Sequence, residues 1–283
     1  MRPANIVTAV ADILAGNAIA LSLSFHASDV APVILLVCST ALLYGGGVVL
    51  NDVFDAELDR IERPERPIPS GLIKESEAQT LGTLMLIAGV VAAFFVNIYA
   101  AVIAMAIAVA AVIYNKWNKH HAFLGPLNMG VCRGLNLLLG MTIFYQAIQF
   151  YWFVSLFPVA YIFAITMISR GEVHGAKKTT LFVAAGLYTL VIAAILIIAF
   201  ITGYLIQTLP FIIFFAYMIF MPLQKAIDKP EGPRIGKAVK SGVIALIIMD
   251  AAWAASFGNW LLAVIILALL PLSLLLARLF AVT

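Results

Sequence analysis

Residues 31–59 read APVILLVCSTALLYGGGVVLNDVFDAELD, and the change of character at Asn51 decides how the whole chain is read. Ala31 to Leu50 carries no charge, and as a helix it is long enough to cross about 30 Å of hydrocarbon. The residues that follow directly include Asn51, Asp52, Asp55, Glu57 and Asp59. On a helix turning about 100° per residue, Asp52, Asp55 and Asp59 fall within about 60° of one another, with Asn51 on their flank and Glu57 turned away. Carboxylates massed at the mouth of a membrane helix repel one another unless a cation is held between them, and hard oxygen donors select Mg²⁺ or Ca²⁺. A diphosphate bridged to the protein by Mg²⁺ fits such an arrangement. Gly45-Gly46-Gly47, just ahead of the acids, predict a close approach by a neighbouring helix.

Composition sets the class. With 64% hydrophobic and 11% charged residues and a mean hydropathy of +1.07, the chain cannot cover a soluble globule with polar surface. It reads as an integral membrane protein. Apolar runs at about 4–24, 31–50, 77–97, 98–114, 122–145, 150–168, 179–201, 207–222, 237–256 and 260–280 predict an all-α, polytopic bundle of nine to ten transmembrane helices, a single domain over 1–283. Nine is allowed because any one run can be a half-helix. The first run reads as a span and not as a cleavable signal.

Basic residues set the expected orientation. Arg2, the 60–74 segment, Lys116, Lys119, the 170–178 segment, the 225–240 segment and Arg278 fall on one side, and the opposite links hold no Lys or Arg. The positive-inside rule then places both termini and the large polar loops in the cytoplasm of a multi-pass cell-membrane protein. The net charge of +3 is accounted for by that topology and by phosphate binding, so no nucleic-acid partner is expected. Cys38 and Cys132 both fall within spans, which gives a disulfide or zinc site no support.

The acidic segment runs on into Arg60-Ile61-Glu62-Arg63-Pro64-Glu65-Arg66-Pro67-Ile68-Pro69-Ser70-Gly71. The prolines end the helix and stiffen the loop, and Arg66 supplies a guanidinium fork suited to phosphate oxygens. The plainer alternative is a solvated helix end followed by a basic anchoring loop.

Asn51-Asp52-x-x-Asp55-x-x-x-Asp59 followed by Arg66-Pro67-x-Pro69-Ser70-Gly71 resembles the first aspartate-rich motif of the UbiA family of intramembrane prenyltransferases. Further similarity lies in Arg2-Pro3-x-Asn5, Tyr114-x-Lys116-x-x-Lys119, Gly125-Pro126-x-Asn128 and Arg133-Gly134-x-Asn136. The resemblance implies a helical bundle around a central cavity, with an isoprenyl diphosphate as donor and transfer of its prenyl group to an acceptor within the membrane. It also implies that Mg²⁺ is held by Asn51, Asp52, Asp55 and Asp59. Arg66, Lys116 and Lys119 are expected to meet the diphosphate. Mg²⁺ and these cations would stabilise the charge that develops on the leaving diphosphate, while dry apolar walls protect the allylic cation from water.

The chain departs from the family at its second acidic motif, where the segment after span six reads Ser169-Arg170-Gly171-Glu172-Val173-His174-Gly175-Ala176-Lys177-Lys178-Thr179. A single acid remains. Glu172 is expected to replace one metal-binding carboxylate, and Arg170, His174 and Lys177 to hold diphosphate directly, with Gly171 and Gly175 favouring a loop. His174 also reads as a general base or as an ordinary loop residue. The shortened motif leaves open a non-catalytic isoprenoid or lipid-phosphate binder or carrier.

Ionisable residues inside spans usually face the bundle interior, because a charge at bilayer depth costs roughly 2.5–3.5 kcal/mol on insertion scales. Arg133, Asp12 and Asp250 meet that description, near Asn17, Asn128 and Asn136. Arg133 is a candidate catalytic residue that pairs with one of these acids, with an acidic acceptor or with diphosphate. Tyr44, Phe54, Tyr114, Tyr145 and Tyr161 are candidates for shielding a cation, or ordinary packing residues. A cation transporter would gather its acids near the midplane, whereas the main cluster sits at the membrane edge. Neither the acceptor nor the donor length is legible.

Overall fold

Hydrocarbon leaves a backbone no partner except itself, so uncharged runs of this length become helices. The computed structural model describes residues 3–23, 29–173 and 175–279. Its elements are α1 (Pro3–Leu21), α2 (Val30–Phe54), α3 (Ala56–Glu62), α4 (Glu75–Phe94), α5 (Ile98–Ile113), a π-helical turn (Tyr114–Asn118), α6 (Leu124–Met141), α7 (Tyr145–Tyr151), a 3₁₀ turn (Trp152–Ser155), α8 (Leu156–Ser169), α9 (Lys178–Thr202), α10 (Leu205–Asp228), α11 (Gly232–Ser256), α12 (Trp260–Leu267) and α13 (Leu269–Leu279). Among the described residues, nine helical segments are long and apolar enough to cross a membrane. The remaining expected run, 122–145, forms α6. It carries Asn128, Arg133 and Asn136 and packs against α1, α5 and α8.

Prolines explain two broken spans. Pro158 cannot donate to the carbonyl of Val154, and the segment entering α8 is a 3₁₀ turn. Pro271 likewise leaves the carbonyl of Leu267 without its helical partner, and α12 ends at that residue.

The links gather at two ends in strict alternation. At one end the Arg170 guanidinium donates to the carbonyl of His121 at 2.6 Å, and the Ala176 amide donates to Pro230 at 3.4 Å. At the other, Asn97 donates to the carbonyl of Thr142 at 2.9 Å, Thr202 to Ser256 at 2.6 Å and Asn259 to Ala18 at 2.6 Å. The basic links therefore share one end, as the charge pattern predicts.

Burial separates the centre from the rim. The apolar windows of α11 and α1 are 83% and 72% buried, against 22–44% for the other spans. Both are rich in Ala and Gly, which brings backbones close. A Cβ on Gly140 of α6 would stand 2.4 Å from the carbonyl oxygen of Ile13, and one on Gly16 would stand 2.3 Å from that of Leu137. The triglycine expectation holds as well, since a Cβ on Gly46 would meet the carbonyl oxygen of Gly82 of α4 at 2.9 Å. Two apolar clusters result. One joins α1 and α6 to α13, and the other joins α2, α4 and α5 with Ile13 and Leu139. The polar residues lie along the seam.

Candidate active site

The last turn of α2 delivers Asn51 and Asp52, and the helix breaks at Asp55 (φ −92°, ψ −3°) before α3 begins at Ala56. Helical hydrogen bonds continue across the break, from the Asp55 amide to Asn51 at 3.0 Å and from the Asp59 amide to Asp55 at 2.8 Å. Asp55 forms an ion pair with Lys119. Arg66 reaches Asp59 at 2.6 Å and Asp52 at 3.6 Å through the same nitrogen. Glu57 lines a separate groove with Glu75 and Gln79, in keeping with the expectation that it turns away.

Asp59 departs from the expected ligand set. It is 5% exposed, bound to Arg66 and absent from the cavity wall. The break at Asp55 and the fold-back of the proline loop give it a guanidinium partner, so it anchors that loop.

The π-helical turn supplies a residue that sequence reasoning passed over. Asn115 is buried; its Nδ2 donates to the carbonyl of Gly47 at 2.9 Å, and its Oδ1 accepts from Asn51 Nδ2 at 3.1 Å. Asn115 is the unspecified position in Tyr114-x-Lys116-x-x-Lys119. The signal for it was the second amide beside the lysines. A π turn widens the helix by one residue, and here Asn115 and Lys119 both meet the end of α2.

Between α1, α2, α5 and α6 lies a cavity of about 370 Å³. Asn51, Asp52, Asp55, Lys119 and His120 line its mouth; Leu43, Val48, Ile107, Ala111 and Met129 give it apolar walls; Thr40, Tyr44, Arg133 and Asn136 stand deeper. The Arg133 guanidinium lies 5.8 Å from the centre of the Tyr44 ring. It donates to Asp12 at 2.8 Å and to Thr8 at 2.6 Å. Asn136 donates to the same oxygen of Asp12 at 2.9 Å and accepts from Thr40 at 2.7 Å. Of the aromatic candidates, Tyr44 and Tyr114 face the cavity.

The second loop is assembled differently from the expectation. Gly175, at φ +83°, confirms a loop, and a Cβ there would collide with the Pro230 carbonyl at 2.7 Å. Arg170 clasps the carbonyls of Lys119 and His121, so it braces the neighbouring loop. Glu172 lies against the start of α11, its Oε2 3.9 Å from where a Cβ of Gly236 would be. Lys177 is exposed at the start of α9. Lys116 is exposed and lies over the Trp117 ring at 4.7 Å. None of Arg66, Arg170, Glu172, Lys177 and Lys116 lines the cavity; the shortened second segment packs instead on the α10–α11 link and on the 119–121 backbone. Arg2 and His174 lie outside the described residues.

Among the described residues no three His, Cys, Asp or Glu side chains gather closely enough to enclose a metal ion. Mg²⁺ needs less, since it keeps several waters and usually takes one or two carboxylates plus substrate phosphate. The oxygens of Asn51, Asp52 and Asp55 at the cavity mouth meet that requirement.

Residues 9–229 match the UbiA prenyltransferase family. A digeranylgeranylglyceryl phosphate synthase of Sulfurisphaera tokodaii is 33% identical over 160 residues, 56% of each chain. One of Saccharolobus solfataricus is 35% identical over 140 residues, 48% of each. The matched stretch thus spans about half the length of these relatives. A solved structure concerning digeranylgeranylglyceryl phosphate synthase in membranes superposes with a TM-score of 0.68 at 24% identity, over 89% of this chain and 94% of that one. A UbiA homologue from Archaeoglobus fulgidus bound to DMAPP and Mg²⁺ superposes with a TM-score of 0.63 at 13% identity, over 91% and 99%. At these identities the likeness is one of fold.

Proposed function

The chain belongs to the UbiA prenyltransferase family, and from that premise we propose that it transfers a prenyl group from an isoprenyl diphosphate to a lipid acceptor inside the membrane, with Mg²⁺ as cofactor. One observation carries this reading: oxygen donors and a lysine meet at the mouth of a cavity whose walls are apolar. Asn51, Asp52 and Asp55 would hold the metal, which supplies charge neutralisation to the leaving diphosphate. Lys119, once released by Asp55, would meet the phosphates from inside the mouth, and Arg66, held on Asp59 and 3.6 Å from Asp52, would face them from its rim. The allylic carbon–oxygen bond breaks, diphosphate takes the electron pair, and an acceptor oxygen forms the new bond to carbon and gives up its proton to the departing diphosphate. Leu43, Val48, Ile107 and Met129 exclude the water that would otherwise capture the allylic cation.

The relatives' names suggest the acceptor. A digeranylgeranylglyceryl phosphate synthase makes a product with two geranylgeranyl groups on a glyceryl phosphate, so the acceptor proposed here is a glyceryl phosphate that already carries one. The mouth is assigned to the cytoplasmic face by its basic links.

The test incubates the purified protein with labelled geranylgeranyl diphosphate and either geranylgeranylglyceryl phosphate or a total lipid extract, with and without a chelator of Mg²⁺. A doubly prenylated, Mg²⁺-dependent product is expected. Label transferred only to other lipids of a total extract would reject the acceptor and keep the reaction. The placement of Glu172 against α11 favours one rival, a binder without turnover, which tight donor binding with no transfer to any lipid would identify.

A further inference from the structure

Arg133 is 8% exposed, and it lines the deep end of the cavity. Its Nη1 donates to Asp12 at 2.8 Å, and its Nη2 donates to Thr8 at 2.6 Å and to the carbonyl of Asn5 at 3.4 Å. All three acceptors belong to α1, so the guanidinium is clamped from one side. Of its five N–H groups, the Nε–H and the second hydrogen of Nη1 have no acceptor among the described residues. Tyr44 of α2 stands beside it, with its ring centre 5.8 Å from the guanidinium. Its hydroxyl lines the same cavity without a hydrogen bond to a described residue. Thr40 and Asn136 are engaged by contrast: Thr40 donates to Asn136 at 2.7 Å, and the Asn136 amide donates to Ala9 at 2.8 Å and to Asp12 at 2.9 Å. The N–H and O–H donors left for a ligand at this depth are therefore those of Arg133 and Tyr44.

Depth decides which substrate these donors can serve. Tyr44 and Asn51 lie on the continuous helix α2, and at about 1.5 Å per residue Tyr44 stands about 10 Å further in. A diphosphate held at Asn51, Asp52 and Asp55 leaves only its hydrocarbon tail at that depth, and a hydrocarbon has no oxygen to offer. The oxygen must come from the other substrate. Charge decides its kind. Asp12 already balances the guanidinium at 2.8 Å, so the deep end offers hydrogens with little net charge, which suits an uncharged oxygen better than a phosphate. We infer that Arg133 and Tyr44 are specificity-determining residues that bind an ether oxygen of the acceptor, the one joining the prenyl chain it already carries to its polar head. An ether oxygen accepts and never donates, which matches two free donors. An acceptor without it would leave both donors unpaired in a water-poor cavity, and that is how a site built on hydrogen bonds rejects an analogue. The inference rests on the proposed prenyl transfer and adds the chemical class of acceptor, a prenyl ether of a polyol phosphate, and its place in the cavity.

The test is calorimetric binding of two probes, geranylgeranylglyceryl phosphate and its analogue with a methylene in place of the ether oxygen, to the wild type, Tyr44→Phe and Arg133→Lys. Tyr44→Phe removes the hydroxyl alone. Arg133→Lys keeps a cation for Asp12 and removes the Nε–H, so neither variant leaves the Asp12 carboxylate without a countercharge. The wild type should prefer the ether by about three- to tenfold, the scale of one hydrogen bond, and each variant should cut that preference to about twofold or less. Binding of geranylgeranyl diphosphate with Mg²⁺, measured on the same samples, should stay within about twofold of the wild type, because the donor offers these residues only hydrocarbon. A wild type that binds neither probe or binds both equally, or variants that keep the full preference, would overturn the inference. Its failure and that of the transferase reading are distinguishable. Ether-selective binding that depends on Tyr44 and Arg133, with no transfer of labelled prenyl groups to any lipid, keeps the inference and rejects the transferase. Transfer with equal binding of both probes does the reverse.

Discussion

Asn51 donates its side-chain amide to Asn115 Oδ1 at 3.1 Å, and the opposite polarity is excluded because Asn115 must turn its own amide to the carbonyl of Gly47 at 2.9 Å. The bond leaves Asn51 Oδ1 as the group available to a cation. Asn115→Ala should therefore weaken Mg²⁺-dependent binding of a prenyl diphosphate by roughly three- to tenfold, the effect of about one hydrogen bond. Calorimetry at graded Mg²⁺ checks it. Unchanged Mg²⁺ dependence would show that the orientation of Asn51 is immaterial.

The acids are expected to separate into two groups. Asp52→Ala and Asp55→Ala should each abolish Mg²⁺-dependent diphosphate binding. Asp59→Ala should instead lower thermal stability, by roughly 1–3 kcal/mol for an arginine left without its partly buried partner, with a smaller effect on Mg²⁺. Glu57→Ala, in a different groove, should leave both unchanged. Equal losses at all four positions would mean general disruption of the loop.

Lys119 and Arg170 offer a similar contrast. Lys119 pairs with Asp55 inside the cavity mouth, whereas Arg170 braces the 119–121 backbone from outside it. Lys119→Ala should weaken diphosphate binding by at least about tenfold, as expected for a charge-assisted contact. Arg170→Ala should have a smaller effect that is partly recovered on cooling, since it acts by loosening a loop. A larger loss at Arg170 than at Lys119 would return Arg170 to the phosphate site.

The crossing of α1 and α6 depends on two glycines. With a carbonyl oxygen 2.4 Å from a Cβ on Gly140 and 2.3 Å from one on Gly16, Gly140→Leu should destabilise the protein by about 3 kcal/mol or more through overpacking against backbone. Gly186→Ala meets nothing within 4 Å and should be neutral or slightly stabilising. Thermal unfolding in detergent compares them.

Sidedness has its own measurement. Cysteines introduced at Ser70, Lys119, Lys178 and Lys229 should react with a membrane-impermeant reagent from the cytoplasmic face only. Reaction of Ser70 and Lys178 from opposite faces would divide the shared end of the bundle and remove the proposed orientation.

Local chemistry alone determined the class, the helices, the alternation of basic and neutral links and the acidic motif beginning at Asn51, because charge placement and apolar length act within a single segment. The same holds for the turning away of Glu57, which follows from helical period. What each acid does was decided by partners distant in the chain. Asp55 meets Lys119 and Asn51 meets Asn115, each 64 residues away, and Asp12 meets Arg133 across 121. Asp59 read as a ligand because helical period puts it beside Asp55; the fold-back of Arg66 sets it against a guanidinium and off the cavity wall. The residues of the second loop read as phosphate ligands from their charge. Their places were decided by the packing of that shortened loop on Pro230 and on the 119–121 backbone, where close contact between backbones leaves little choice of direction for Arg170 and Glu172. Asp250 shows the same division. A lone acid in an apolar run announces a buried site, but only the packing of α11, the most buried of the spans, leaves Asp250 without exposed surface.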